Sequence, residues 1–414
     1  MDNENFGRLR KYIDGQEKEL IRVMKALVSI KALGPLNGGT GEAEKGAWLM
    51  DYLKKSGFGD VKNYPAPDPS VPAGERPNIV ARIPGKRTDK SIWIMSHMDV
   101  VPEGDLEKWE TPPYEAVVKD GKIFGRGTED NHQGLVASLL AAKAFIDLNI
   151  VPEYNLNLVF VSDEETNSIY GLEYLVEHHA DLFRKEDIYI IPDAGEPDST
   201  MIEIAEKSIL WLRFVTKGKQ VHASTPERGV NAFKAASHFI VKLGDLYTRF
   251  ADSDPVFDPP ISTFEPTQRE ANVPNVNTIP GDDVFYLDCR ILPHYNLDEI
   301  QNVIREMMTE IEQEFGVRIT MEEVQREEAA PATAVDAPVV GLLARAIREV
   351  YKVQAGPVGI GGGTVAAVFR RAGFDAAVWS TLDDMAHQPN EYCRISNVLK
   401  DAQVFAHVAS HTIE

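Results

Sequence analysis

Cysteine is nearly missing from this chain: Cys289 and Cys393 are the only two in 414 residues. Two thiols cannot make a disulfide framework, so a reduced compartment is the natural expectation. Long apolar runs are missing as well. No stretch reaches the roughly 18 apolar residues that a membrane span requires. The charged opening "MDNENFGRLRKYIDGQEKELIRVMKALVSI" has no signal-peptide core and reads as an amphipathic helix. Basic charge is scarce: 43 Lys and Arg stand against 64 Asp and Glu, a net charge of -21. Such a surface repels phosphate backbones and anionic lipid, which argues against nucleic-acid and membrane partners. No Gly-x-Ser-x-Gly elbow occurs, so the usual serine-hydrolase signature is lacking. The expectation is a soluble cytoplasmic protein of about two or three domains.

What is present is an alternation of short, fully apolar runs with helical patterns. "SIWIM" (91–95), "NLVFV" (157–161), "DIYII" (187–191) and "AAVWS" (376–380) read as buried strands. Segments 132–147, 171–183 and 396–411 read as helices. That alternation predicts an α/β catalytic domain with a mainly parallel sheet flanked by helices. Residues 208–325 read differently. Strand "ILWLRFVTKG", helix "NAFKAASHFIVKLGDLYTRF", strands "PPISTFEP" and "DDVFYLDCRILP", helix "LDEIQNVIREMMTEIEQEF" and strand "RITMEEVQ" give the order βαββαβ, a ferredoxin-like sandwich. The predicted organisation is a discontinuous first domain, 1–207 and 326–414, carrying an inserted second domain, 208–325, with "REEAAPATAVDAP" as the return linker.

Each buried strand ends in residues that can hold a metal. "SIWIM" runs into His97 and Asp99, "NLVFV" into Asp163, Glu164 and Glu165, "DIYII" into Asp193, and "AAVWS" towards His387. The turn "GRGTEDNHQG" adds Asp130 before a helix. Ligands of open α/β sheets bind at the carboxyl ends of strands, so these groups should converge. Two imidazoles with several carboxylates suit zinc, manganese or cobalt, and two such cations would offset the repulsion among adjacent acids. Any one strand-end acid or imidazole alone would be an ordinary cap or turn residue.

In order along the chain, "HMDVVPEGDLEKWETPPYE", "DGKIFGRGTEDN", "DEETNSIYG", "PDAGEP" and "AHQPNEY" resemble the co-catalytic di-metal aminoacylase/carboxypeptidase family. That family includes acetylornithine deacetylase, succinyl-diaminopimelate desuccinylase, dipeptidases and glutamate carboxypeptidase. The resemblance implies that His97, Asp130 and Asp193 hold one metal and that Asp130, Glu165 and His387 hold the other. It makes Glu164 the general base, Asp99 the group that orients His97, and Asp163 a turn residue. On the inserted domain it implies substrate contacts for His222, Asn277 and Arg290, and it matches "GIGGGTVAA" to a substrate-side loop through Gly362, Gly363 and Thr364. It implies metal-dependent hydrolysis of an amide in an N-acyl amino acid or small peptide, two divalent ions (zinc foremost, with cobalt or manganese as alternatives), and a homodimer formed through the inserted lid or dimerisation domain. His132 stands where the family commonly has Lys, and Val365 and Ala366 replace its usual polar residues.

Two other readings compete. The run "GIGGGTVAAVFRRAG" loosely echoes a dinucleotide turn, with Asp383 at ribose distance. A non-catalytic binding homologue would keep the fold without the chemistry. His178 and His179 are neighbours on a charged helix and do not share a face. His407 and His411 lack the intervening Glu of a zinc helix, and Trp93, Trp211 and Trp379 are expected in the core.

Overall fold

A computed structural model describes residues 3–412. It divides into two compact units, 1–204 with 332–357 and 364–414, and 205–331 with 358–363. No helix among the described residues is long and apolar enough to cross a membrane.

The first unit is organised by an eight-stranded mixed sheet. Its centre is parallel: Tyr154–Val161 pairs with Arg87–His97, which pairs with Ile188–Gly195, which pairs with Ala376–Ser380. These are the four apolar runs, and residues 92–95, 156–161, 188–191 and 376–380 are all buried. Apolar residues on both faces require cover on both faces. One face carries Leu172, Leu175, Val368 and Phe369 from short helices, packed against Trp93, Met95, Tyr189 and Val378. The helix His132–Asp147 is buried along almost its whole length, and Gly134 in its first turn leaves no room for a Cβ against Pro192. That close approach seats the helix start beside Asp193. Antiparallel strands extend the sheet on both sides, Ile79–Ile83 and Asp60–Asn63 on one and Met201–Glu206 on the other.

Local chemistry changes several predicted boundaries. The N-terminal helix is two, Asn3–Asp14 and Glu17–Ser29, parted at Gly15 and Gln16. The helix expected over 171–183 stops at His178 and continues as one short turn, Ala180–Leu182.

The second unit is a four-stranded antiparallel sheet in the order Thr263–Arg269, Asp282–Ile291, Ser208–Lys217, Arg318–Glu327. Alternation is clean along its two central strands. Leu210, Leu212 and Phe214 face Phe285, Leu287 and Cys289 in one core with Phe239, Ile300, Ile304 and Met307 from two helices. The predicted helix 231–250 breaks at Gly244 and Asp245 into Ala232–Leu243 and Leu246–Arg249. Trp93 and Trp379 are buried as expected, but Trp211 is half-buried on the outward face of its strand. Both cysteines are free and buried.

The histidines set aside in the sequence are packing groups. His407 is stacked on His411 at 3.9 Å and meets the edge of Phe6 at 4.8 Å. Burial, then the nearby His411 and Arg345, push its imidazole down to about 3. The unfolded chain therefore binds a proton on His407 between about pH 6.5 and 3 that the folded chain refuses, so this site's contribution is lost as pH falls through that window. His407→Phe should flatten the acid limb of the thermal midpoint between pH 6 and 4. An unchanged slope would place the acid sensitivity elsewhere.

Candidate metal centre

The parallel strands stop in register, and the chain leaving each one carries an acid or an imidazole to the same edge. His97 is the last residue of Arg87–His97 and is 1 % exposed. Its Nδ1 lies 3.0 Å from the backbone oxygen of Asp99 and 3.4 Å from Asp99 Oδ1. Both neighbours are acceptors, so Nδ1 carries a proton, and Nε2 turns outward. Nε2 then faces Asp130 Oδ1 at 2.9 Å, Asp193 Oδ1 at 3.4 Å and Glu164 Oε2 at 3.8 Å. Asp99 also accepts the backbone N–H groups of Glu164 and Glu165, at 3.2 and 3.0 Å. One buried carboxylate thus fixes the imidazole on its own strand and the two acids of the next strand.

Asp130 divides its two oxygens between two imidazoles. Oδ1 faces His97, and Oδ2 lies 3.2 Å from His387 Nε2. His387 Nε2 is also 3.0 Å from Glu165 Oε2. His387 reaches this position from a loop at φ 63°, a left-handed conformation costly for a side chain with a Cβ. Gly127, at φ 84°, allows the Asp130 loop to pass His132 and Val100, where a Cβ would collide. Asn131 holds Asp193 by donating Nδ2 to its Oδ1 at 2.6 Å and to Pro192 O at 2.6 Å.

The electrostatics describe a centre short of positive charge. Burial, then Asp193, Asp130 and Glu165, hold the Glu164 carboxyl well above its ordinary range despite His97. Burial and Asp130 push Glu165 up to about 7. Hydrogen bonds that its ring donates to Asp130 and Glu165 hold His387 up at about 10. Burial alone would lower His97, but Glu164, Asp130, Asp193 and Asp99 outweigh it and keep the ring well above its usual value. Asp130 is held well below the ordinary range: the hydrogen bonds it accepts from the two imidazoles outweigh the effect of burial.

The donor set fits divalent ions. Ligand atoms of His97, Asp130 and Glu165, and of His97, Glu164 and Asp193, lie within 4.8 Å of one another. Glu165 Oε1 is buried without a hydrogen-bond partner. An unpartnered carboxylate oxygen buried among four other acids is costly unless a cation completes it.

The comparisons with known proteins agree with this chemistry. Residues 93–411 match the model of peptidase family M20/M25/M40. The chain belongs to that family. This M20 protein is therefore a metallohydrolase of amide or peptide bonds, and membership implies divalent metal ions. It is 43% identical over 405 residues to an uncharacterized metallohydrolase of Methanocaldococcus jannaschii, covering 94% of this chain and 98% of that one. It is 26% identical to a succinyl-diaminopimelate desuccinylase of Roseobacter denitrificans, over 80% of this chain and 85% of the relative. Its fold matches the crystal structure of an aminopeptidase of Bacillus cereus with a TM-score of 0.74 at 19% identity, covering 95% and 98% of the two chains.

The remaining site residues expected from the sequence lie apart from this cluster in the chain, most of them in the second unit. His222 sits on a short strand paired with Thr278, its Nδ1 2.7 Å from Ser224 Oγ, and the carbonyl of Asn277 accepts the N–H of Ala223 at 2.8 Å. Those two residues are neighbours. Arg290 is already partly committed: its fork donates to both oxygens of Asp288, at 2.8 and 3.1 Å, and Nη1 donates to Gly361 O at 2.9 Å. Three of its five N–H donors are used, which leaves two for a substrate carboxylate. Gly362 and Gly363 belong to the second unit and Thr364 to the first, where its Oγ1 accepts the N–H of Ala366 at 3.2 Å. The dinucleotide alternative has no support here. The helix after the glycines is six residues long, and Asp383 accepts from Tyr392 and Arg394.

His132, singled out in the sequence as standing where the family commonly has Lys, opens its helix fully buried, with Nε2 2.8 Å from the Nζ of buried Lys45. Lys45, Glu42 and Arg76 were not legible in the sequence. Burial pushes Lys45 down to about 7. Glu42 and Arg76 form a buried pair at 2.6 Å, and Arg76 also lies 3.4 Å from Asp163. Asp163 adopts φ 68° and accepts the N–H of Tyr170, which is turn work. Lys45 and Arg76 offered no local signal, since each reaches its partner only through the fold.

Proposed function

We propose that the protein hydrolyses the amide bond of an N-acyl amino acid, as a deacylase of the succinyl-diaminopimelate desuccinylase or acetylornithine deacetylase type. The observation that carries the reading is Asp130 standing between His97 and His387 with one oxygen to each. On this reading His97, Asp130 and Asp193 would hold one divalent ion, and Asp130, Glu165 and His387 would hold a second. Zinc suits the mixed nitrogen and oxygen donors best, and cobalt or manganese would be accepted. When bound, such ions act as Lewis acids and supply a water of lowered pKa.

The chain's own residues do the rest. Asp99 keeps the proton of His97 on Nδ1, leaving Nε2 as the ligand atom. Glu164 accepts the proton of the attacking water at a carboxylate oxygen and later passes it to the departing amine nitrogen. In the metal-free chain its burial favours the protonated form, and bound cations would restore the carboxylate that takes the proton. His222 would stabilise the developing negative charge on the carbonyl oxygen, with Asn277 beside it as a substrate contact. Catalysis is assigned to the first unit, and a lid or dimerisation role to the inserted one. Val241 and Phe233, exposed on that unit's helix, offer apolar surface for a second copy of the chain.

A peptidase of the same chemistry is the second reading, favoured by the likeness of fold to the Bacillus cereus aminopeptidase. A panel of N-succinyl and N-acetyl amino acids set against di- and tripeptides, assayed with zinc-loaded protein, separates the two. Preference for N-acyl amino acids by at least about tenfold in kcat/KM, equivalent to about 1.4 kcal/mol, is the expected result. Preference for free-amine peptides would move the assignment to a peptidase.

A further inference from the structure

Two buried carboxylates beside the centre face away from it. Glu391 is fully buried, four residues beyond His387 in the sequence. Its Oε1 accepts the backbone N–H groups of Glu129 at 2.9 Å and Asp130 at 3.1 Å. Its Oε2 accepts the N–H of Gly127 at 2.9 Å and Arg126 Nη1 at 2.8 Å. Its backbone oxygen accepts the N–H of Gly125 at 2.9 Å. Four backbone N–H groups of the loop that presents Asp130 therefore hang on one residue of the His387 loop. The traffic also runs the other way. Glu129, 2 % exposed and next to Asp130, accepts the N–H of Asp383 at 2.6 Å and the N–H of Met385, one on each oxygen.

We propose that Glu129 and Glu391 form a reciprocal clasp that sets the spacing between Asp130 and His387. Each loop carries the acceptor for the other loop's amides. Neither loop belongs to a helix or a long strand, so no regular ladder fixes it, and its buried N–H groups need other partners. A carboxyl group suits the task because its two oxygens can take several amides at once. Glu391 has four donors on its two oxygens, so its capacity is filled and it is not free to ligate a cation. A displacement of the Asp130 backbone carries Glu129 with it, which draws on residues 383–385 and moves His387 in the same sense. The 3.2 Å between Asp130 Oδ2 and His387 Nε2 is thereby conserved as the loops move. Both carboxylates are positioning residues: they act through the groups they hold, not on substrate.

The inference rests on the two-metal reading and deepens it. Its test is zinc binding by equilibrium dialysis of the chelator-stripped full chain, alongside the thermal midpoint of each stripped variant. Glu→Gln keeps the side-chain shape but replaces one acceptor oxygen with a donor. E129Q disturbs the His387 loop and should weaken one of the two zinc ions by about 10–100-fold while the other keeps wild-type affinity. E391Q disturbs the Asp130 loop, and Asp130 serves both ions, so both should weaken. If the two variants bind both ions as tightly as wild type while their stripped forms melt lower, the carboxylates are only structural and the clasp is overturned. E129Q decides alone should E391Q fail to fold. Wild-type protein that itself binds fewer than two zinc ions would sink the two-metal reading instead, so the two failures are distinguishable.

Discussion

Glu164→Gln should reduce kcat by about a thousandfold while zinc content stays at the wild-type value. The geometry explains why the two readouts part. The Glu164 backbone is held by Asp99, so exchanging the side chain leaves the turn in place. Its Oε2 lies 3.8 Å from His97 Nε2, at the margin of the ligand cluster and farther from the ring than Asp130 or Asp193. Gln fills the same volume but neither takes nor returns a proton. The loss should therefore appear in turnover and leave substrate affinity nearly untouched, the pattern of an interaction made only in the transition state. Stopped assays of kcat and KM with metal analysis of the same sample check it. A variant turning over at the wild-type rate would remove Glu164 from the reaction.

Removal of the divalent ions should abolish activity and also lower stability, because the same acids bear both. Asp99, Asp130, Glu164, Glu165 and Asp193 share one edge with two imidazoles, and the burial of Glu164 and Glu165 already pushes both towards the neutral form. A cation that binds the folded but not the unfolded chain stabilises it by about 4 kcal/mol at a thousandfold excess over its Kd. For a protein of this size that is a thermal midpoint lower by roughly 5 °C for each ion removed. The loss should deepen as pH rises from about 4.5 to 7, where the unfolded chain has already released the proton that folded Glu165, at about 7, still holds. Zinc should restore both rate and midpoint. Chelated protein that keeps its rate would contradict the metal assignment.

The parts of the fold that could be read from the sequence are those written in local pattern. Runs such as 157–161 are apolar at every position because both faces of the central sheet are covered, and a run of that kind has a definite end. The acids and imidazoles stood out because they followed those ends. Glu129 and Glu391 lay inside quoted motifs, yet nothing local separates a carboxylate buried against amides from one in water. Arg290 shows the opposite difficulty. Its guanidinium looked available for a carboxylate, but the acid it holds is Asp288, two residues back on the same strand. Segment 358–363, close in sequence to the first unit, groups with the second. That assignment follows from contacts such as the Arg290 bond to Gly361, which no periodicity announces.

Anomalous diffraction at the zinc edge, from crystals of zinc-loaded protein, tests the central claim most directly. Two peaks are expected about 3.5–4 Å apart, one among His97, Asp130 and Asp193 and one among Asp130, Glu165 and His387, with Asp130 touching both. No peak at this edge of the sheet, or a lone ion that leaves either imidazole unligated, would contradict it.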